Sequence, residues 1–383
     1  MRRERITLVG APTVIAPEAI FLVGEFGLPE EVVAVSAAVS THATVQYCPA
    51  VDAPSPLVAA VVERAKIHLG EAAAALPSGS VLLSPSEERR DLGGTPAIAV
   101  ATAAAVFEAA GQSIRQRGDE ILVVAEAAHR AIYPGIRVQA QLAAALHGGL
   151  IKIVSSAGGA PRVEALAPPA GLHFVVFQTG RALFPADWLS CVHQFAKRYP
   201  IAYAQIIKGL LEWASRFAAD LSAGNATAAV VSVGRYGNCI AELAAAVSAP
   251  LNSAPLLRAM ELAKEIGGIA KTTRAGRGDL AIAMFATPEG ANLFARACQA
   301  PLVPLYLDLD RSGVRCLNGR LTGESAEVHT PMPEVGPSSI SGQAIVRGFL
   351  DDRSTERTLI EPDSEVWAEA GRDPIPGPSP RWR

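Results

Sequence analysis

Apolar, β-branched positions between residues 5 and 47 come in short runs: Ile6-Thr7-Leu8-Val9, Ile20-Phe21-Leu22-Val23, and the stretches 32–39 and 43–47. Turn-forming residues separate them, so the pattern predicts a meander of mostly antiparallel strands. Ser55-Pro56 reads as an N-cap followed by proline in the first helical turn, where no N–H is missed, and opens a helix to residue 69. A short strand at 81–83 leads into Asp91-Leu92-Gly93-Gly94-Thr95-Pro96 and a long Ala/Val helix over 97–110. Helices at 120–131 and 138–146 follow. Gly148-Gly149 stops the second of them, and a strand occupies 150–154.

Pro168-Pro169-Ala170-Gly171 marks a hinge. Beyond it the pattern predicts a strand at 173–177, a largely helical stretch over 188–267, a polar loop over 271–279 and a strand at 280–285. A helix at 289–298 and a strand at 303–309 complete a second α+β region. From residue 317 Gly, Pro, Ser and charges accumulate, ending in Pro374-Ile375-Pro376-Gly377-Pro378-Ser379-Pro380. That composition buries too little apolar surface to offset chain entropy, so a mostly disordered tail is expected, with Trp367 and Trp382 as candidate docking anchors. The expected domains are 1–167, 171–316 and the tail 317–383.

Half of the 383 residues are hydrophobic but 5% are aromatic, so the cores must be built from Ala, Val and Leu. A net charge of −3 offers no basic surplus for nucleic acid. Mean hydropathy is +0.25, yet no apolar run reaches the roughly 20 residues of a membrane span. Pro12, Pro17 and Glu18 interrupt the only stretch resembling a secretion signal, so the N-terminus is read as mature protein. The five cysteines, Cys48, Cys191, Cys239, Cys298 and Cys316, show no CxxC spacing, which argues against a zinc site or a disulfide framework and for a reducing cytoplasm.

Three segments carry candidate chemistry. Asp91 to Thr95 places glycines and a hydroxyl at the start of a small-residue helix. Free N–H groups and the helix dipole there suit a phosphate, though a helix capped by Thr95 has the same signature and is commoner. Lys271-Thr272-Thr273-Arg274-Ala275-Gly276-Arg277-Gly278-Asp279 packs three cations, two hydroxyls and two glycines into nine residues, suited equally to phosphate binding and to a polar turn before a buried strand. Glu126 and His129 share a helix face and could ligate a metal, whereas a solvated Glu126–Arg130 pair is the commoner outcome.

Together the segments resemble the GHMP kinase superfamily, most closely the phosphomevalonate kinases, over residues 5–316. Its first motif is similar to Ala16-Pro17-Glu18-Ala19-Ile20-Phe21-Leu22-Val23-Gly24-Glu25-Phe26, its second to Leu92-Gly93-Gly94-Thr95-Pro96-Ala97, and its third to Lys271 through Asp279. Ala128-His129-Arg130 and the stretch from Gln141 to Gly149 match intervening segments, and Pro304-Leu305 resembles the last strand. The resemblance implies an α+β, two-domain GHMP-kinase-like fold: an N-terminal domain with a left-handed βαβ crossover and a C-terminal ferredoxin-like domain. It implies ATP held by Gly93, Gly94, Thr95, Gly276 and Asp279, and Mg²⁺ at Thr95, with Glu126 the further metal candidate from its helix spacing. A small phosphorylated or carboxylated alcohol would lie in the cleft, with Gln141, Lys271 and Arg274 as catalytic candidates.

The departures fall on polar positions. The family lysine of the first motif is Ala19 here, and the glycine before it is Glu18. The family aspartate that orients or deprotonates the acceptor is Gln141, an amide and not a base, although homoserine kinases of the superfamily also carry an amide there. Arg274 and Arg277 stand in a glycine-rich loop that normally passes close to phosphate. Two functions follow from the resemblance: an ATP-dependent small-molecule kinase with a rewired site, or a catalytically silent binding or scaffolding subunit, alone or assembled with an active homologue. Neither calls for nucleic acid or a membrane.

Overall fold

The Oγ of Ser55 accepts from the Val58 N–H at 3.4 Å, and Pro56 begins helix α1, Pro56–Leu69, as its sequence requires. A 3₁₀ turn, Gly70–Ala73, ends it. The computed structural model describes residues 12–25, 32–49, 55–74, 76, 79–84, 94–155, 161–180, 188–248, 252–273 and 280–317.

Two long strands replace the expected meander: β1, Thr13–Val23, and β2, Val32–Pro49. Pro17 does not break β1. It lies where the β1–β2 register shifts, between Pro17 and Glu18, a place where a residue without an N–H is tolerated. The run expected at 6–9 is outside the described residues. Strand β3, Gly79–Ser84, pairs with one end of β2 and β4, Leu150–Ser155, with the other. Strands β5, Arg162–Leu166, and β10, Arg315–Cys316, join the same antiparallel sheet, in the order β10-β1-β2-β4-β5 with β3 also on β2. Neither has a hydrophobic run: β5 is mostly exposed and β10 has two residues.

Helices α2, Gly94–Ala109, and α4, Gln139–His147, pack on this sheet, and α3, Ile114–Ile132, packs on α1, α2 and α4. α2 is buried between β1, β2, α1, α3 and α4, which its many alanines permit by letting neighbouring backbones come close. Each large side chain it buries, such as Val100 or Phe107, contributes about 1.5–3 kcal/mol. α2 starts three residues earlier than expected, so Thr95 lies inside its first turn and is not its N-cap.

The second sheet contains β6, His173–Gln178; β7, Ile269–Thr272; β8, Leu280–Phe285; and β9, Val303–Leu305, in the order β7-β8-β6-β9. All three pairings are antiparallel. The expected helical stretch is four helices: α5, Trp188–Arg198; α6, Pro200–Ser222; α7, Ala226–Ala246; and α8, Ala254–Glu265. Helix α9, Pro288–Ala297, follows β8. Lys271 and Thr272 belong to β7, not to a loop. The strand expected over 303–309 stops at Leu305, with Leu309 forming a single bridge to Val39.

Burial explains why β1 reads as a continuous apolar run. Ala19 and Phe21 face α4, while Ile20 and Leu22 join a core with Phe217 of α6, Val233 of α7 and Ile282 of β8. Helices α6 and α7 thus pack between the two sheets. The opposite face of the second sheet, through Phe177, Ala281 and Phe285, is covered by α8 and α9. The described residues fall in one compact unit. The tail expected from 317 is, past Leu317, outside the described residues. No helix among those described is long and apolar enough to cross a membrane.

Candidate functional site

Residues 18–25, the end of β1 and the turn after it, touch Gly94, Gln141, Lys271 and Thr273 among the residues that the sequence singles out. At Glu18 the contact is with α2. Glu18 is 5% exposed, and its Oε1 lies 3.2 Å from where a Cβ on Gly94 would be. A carboxylate therefore faces the first turn of α2, which has no acidic residue of its own. Beside it, Thr95 is exposed and its Oγ1 lies 3.3 Å from His129 Nε2. Burial holds the His129 pKa down at about 4, so the ring is neutral at pH 7. Its Nδ1 is buried without a hydrogen-bond partner. This tautomerism favours Nε2–H as donor to Thr95, because an unpaired buried lone pair is less costly than an unpaired N–H.

Ala19 meets Gln141. The Gln141 Nε2 donates to the Ala19 carbonyl oxygen at 2.7 Å, and both residues are buried. The amide that takes the place of an expected carboxylate is therefore a tie between α4 and β1. With a methyl group at residue 19, this pair supplies neither a base nor a cation.

The end of the strand meets the second sheet. Thr273 Oγ1 donates to the Phe21 carbonyl, and the Gly24 N–H donates to the Tyr236 hydroxyl at 2.9 Å. Lys271 Nζ lies 2.8 Å from Glu25 Oε1 and 2.8 Å from the Thr272 carbonyl, and 5.4 Å from the centre of the Tyr236 ring. The two charged side chains are 2% and 0% exposed. Burial pushes the Lys271 pKa down, and the adjacent Glu25 carboxylate opposes that shift. Burial, reinforced by Glu25, pushes Tyr236 well above the ordinary tyrosine range. Lys271 is thus engaged with its own chain on every side the contacts describe.

Glu126 Oε1 accepts from Arg130 Nη2 and, at 3.0 Å, from Gln139 Nε2. This is the helix-face pairing, extended by an amide, with both contacts on Oε1. No group of three or more His, Cys, Asp or Glu among the described residues could hold a metal ion. Gly93, Arg274, Gly276, Arg277 and Asp279 lie outside the described residues. The structure thus brings Gly94, Gln141 and Lys271 against Glu18, Ala19 and Glu25 of one segment, sets Thr95 on His129, and leaves Glu126 in a separate surface pair.

Sequence reasoning missed Glu18 and Glu25 as contacts, although both are carboxylates inside or beside an apolar run, which is itself a signal. It also missed a polar knot at residue 310. Asp310 Oδ2 lies 2.6 Å from His42 Nε2 and 3.2 Å from Arg315 Nη1, and Oδ1 accepts from the Ser312 and Gly313 N–H groups. A groove of roughly 500 Å³ along α6, lined by Tyr203, Ile207, Lys208, Leu211 and Glu212 among others, includes none of the residues that the motifs point to.

No family model matches the sequence, and no curated protein does. Solved structures do. A Lin0012 protein from Listeria innocua is 16% identical, with a TM-score of 0.72 over 81% of this chain and 100% of its own. Phosphomevalonate kinase from Streptococcus pneumoniae, in complex with phosphomevalonate and AMPPNP, is 15% identical, with a TM-score of 0.62 over 78% of this chain and 99% of its own. The mevalonate kinase of L. major, in complex with R-mevalonate, is 17% identical, with a TM-score of 0.60 over 80% and 97%. The likeness extends over the mixed helix and sheet body of the chain.

Proposed function

We propose, from the premise that the chain has the GHMP-kinase fold, that it is a catalytically silent member of that fold, acting by binding or scaffolding. The observation that carries this reading is the bond from Gln141 to the Ala19 carbonyl. Phosphoryl transfer depends on positioning and charge neutralisation, with a base or a cation at the acceptor hydroxyl. Here that corner holds a buried amide, spent on backbone, and a methyl group. Losing general-base help costs about 10²–10⁴-fold in rate. The buried pairing of Lys271 with Glu25 withholds a second cation. A role alongside an active homologue, in the cytoplasm, is consistent with such a chain.

A rewired kinase is the second reading. Its support is the exposed Thr95 hydroxyl in the first turn of α2, oriented by a neutral His129. Thr95 would be the residue to hold Mg²⁺ of bound ATP, and the acceptor would be a small alcohol of the phosphomevalonate class.

Turnover separates the two. The full chain is incubated with MgATP and, in turn, mevalonate, phosphomevalonate and homoserine, and ADP release is followed. The silent reading expects no release above an acceptor-free control. Kinases of this kind of chemistry turn over at about 1–100 per second. Acceptor-dependent release, abolished by Thr95→Ala, would establish the second reading in place of the first.

A further inference from the structure

The start of α2 is where a helix offers N–H groups and the positive end of a dipole, and in this chain a buried glutamate side chain already lies against it. The register shift between Pro17 and Glu18 resets the alternation of β1. Before it, Val14 and Ala16 pack into the core built on α1, α2 and α3; after it, Ala19 and Phe21 pack with α4. Glu18 stands at the reset and is buried, with its carboxylate against Gly94. Register irregularities re-aim side chains in this way.

Three further features fit a carboxylate at this place. α2 has no acidic residue in its first turn, so its dipole is not met by charge from within the helix. Residue 94 has no side chain. A Cβ there would lie 3.2 Å from Glu18 Oε1, closer than ordinary contact, so a side chain at 94 would crowd the carboxylate. His129 of α3, whose ring meets Thr95, is neutral and so brings no positive charge of its own to this turn.

We propose that the Glu18 carboxylate is the built-in anion of the α2 N-terminus and closes that helix end to the phosphate groups of an outside nucleotide. The residues present do not fit a phosphate there: a triphosphate would have to displace, or lie against, a buried like charge. The inference rests on the silent reading and deepens it, by naming the side chain that keeps nucleotide out. It also assigns Gly94 a role opposite to the one expected of it, since the glycine makes room for protein and not for ligand.

The test is calorimetric titration of the full chain with MgATP, and thermal melting in inorganic phosphate against chloride at matched ionic strength. Wild type, Glu18→Gly and Glu18→Gln are compared. The expected result is no heat with wild type up to about 1 mM MgATP, and binding at least about tenfold tighter in Glu18→Gly. Phosphate should raise the melting temperature of both variants more than that of wild type. Glu18→Gln keeps the side-chain volume and removes only the charge, so it serves if the glycine variant does not fold. Wild type that binds MgATP with a dissociation constant well below about 1 mM overturns the inference. So do folded variants that gain neither nucleotide nor phosphate response. Wild-type binding without turnover sinks this inference and leaves the silent reading standing; acceptor-dependent turnover sinks both.

Discussion

Lys271 and Glu25 form a buried ion pair, Nζ to Oε1 at 2.8 Å, that joins β7 of the second sheet to the end of β1 in the first. The lysine expected in a phosphate loop instead holds two sheets together. Removing one member of a buried pair leaves the other charged and desolvated, at a cost of about 3–5 kcal/mol. Lys271→Met should therefore lower the urea midpoint strongly. The double variant Lys271→Met with Glu25→Gln should recover part of the loss, because no net charge then stays buried. An unchanged midpoint in Lys271→Met would mean that the pair does not bind the sheets.

The amide of Gln141 makes a different prediction. Gln141→Leu leaves the buried Ala19 carbonyl without its donor, which costs about 1–3 kcal/mol. Gln141→Asp puts an acceptor opposite an acceptor in a buried place, so its folded pKa rises above the unfolded value of about 3.9. A group raised in this way loses stability as pH climbs from the unfolded toward the folded pKa. The deficit of the aspartate variant, read from urea unfolding, should thus be larger at pH 7 than at pH 4, while that of the leucine variant should not change with pH.

Much of the fold was legible because local signals agreed with it. Ser55 and Pro56 started a helix, Gly148 and Gly149 stopped one, and the run 280–285 is strand β8 to the residue. What the sequence concealed was long-range. Pro17 reads only as an interruption of an apolar stretch until the pairing with β2 shows that it sits at a register shift inside a strand. Strand β10 has two residues and depends wholly on its partner β1. At the candidate site, residue types were readable but their engagement was not. Nothing near Gln141 announces that its amide will meet a carbonyl 122 positions away, and nothing near Lys271 announces Glu25, 246 positions away. Polar residues that look available in a motif can be consumed by contacts that only the folded chain defines.

His129 gives the chain an acid sensitivity whose sign can be worked out. Its folded pKa is about 4 and its unfolded value about 6.5, so the unfolded state binds more protons between those limits. Stability is complete above about pH 6.5 and falls as pH drops toward 4, by on the order of 2–3 kcal/mol from this residue. His147 and His173, also lowered chiefly by burial, act in the same direction. His129→Gln should flatten the loss between pH 6.5 and 4.5 in urea titrations while leaving a residual slope from the other two. An identical slope in the variant would show that His129 protonates without cost.

Asp310 contributes on the acid side, through geometry that glycines make possible. Burial pushes its pKa up, but His42, the Ser312 and Gly313 N–H groups and Arg315 outweigh that and hold it below the ordinary value. A depressed carboxylate stabilises above its unfolded pKa, about 3.9, and the contribution is lost as pH falls through the folded value. Asp310→Asn should lower stability at pH 7 by about 1.5–3 kcal/mol, the scale of a hydrogen bond to a charged group, and narrow its gap to wild type in strong acid. The knot is closed by Gly148, at φ +75°, where a Cβ would lie 2.5 Å from the Gly313 nitrogen. Gly148→Ala therefore has to push the 310–313 segment away from the end of α4, and the Gly149 N–H bond to the Asp310 carbonyl with it. Because that displacement would also pull Asp310 off His42, the alanine variant should reproduce the acid profile of Asp310→Asn without touching a charged residue. A destabilised Gly148→Ala that kept the wild-type acid profile would separate the backbone contact from the carboxylate cluster.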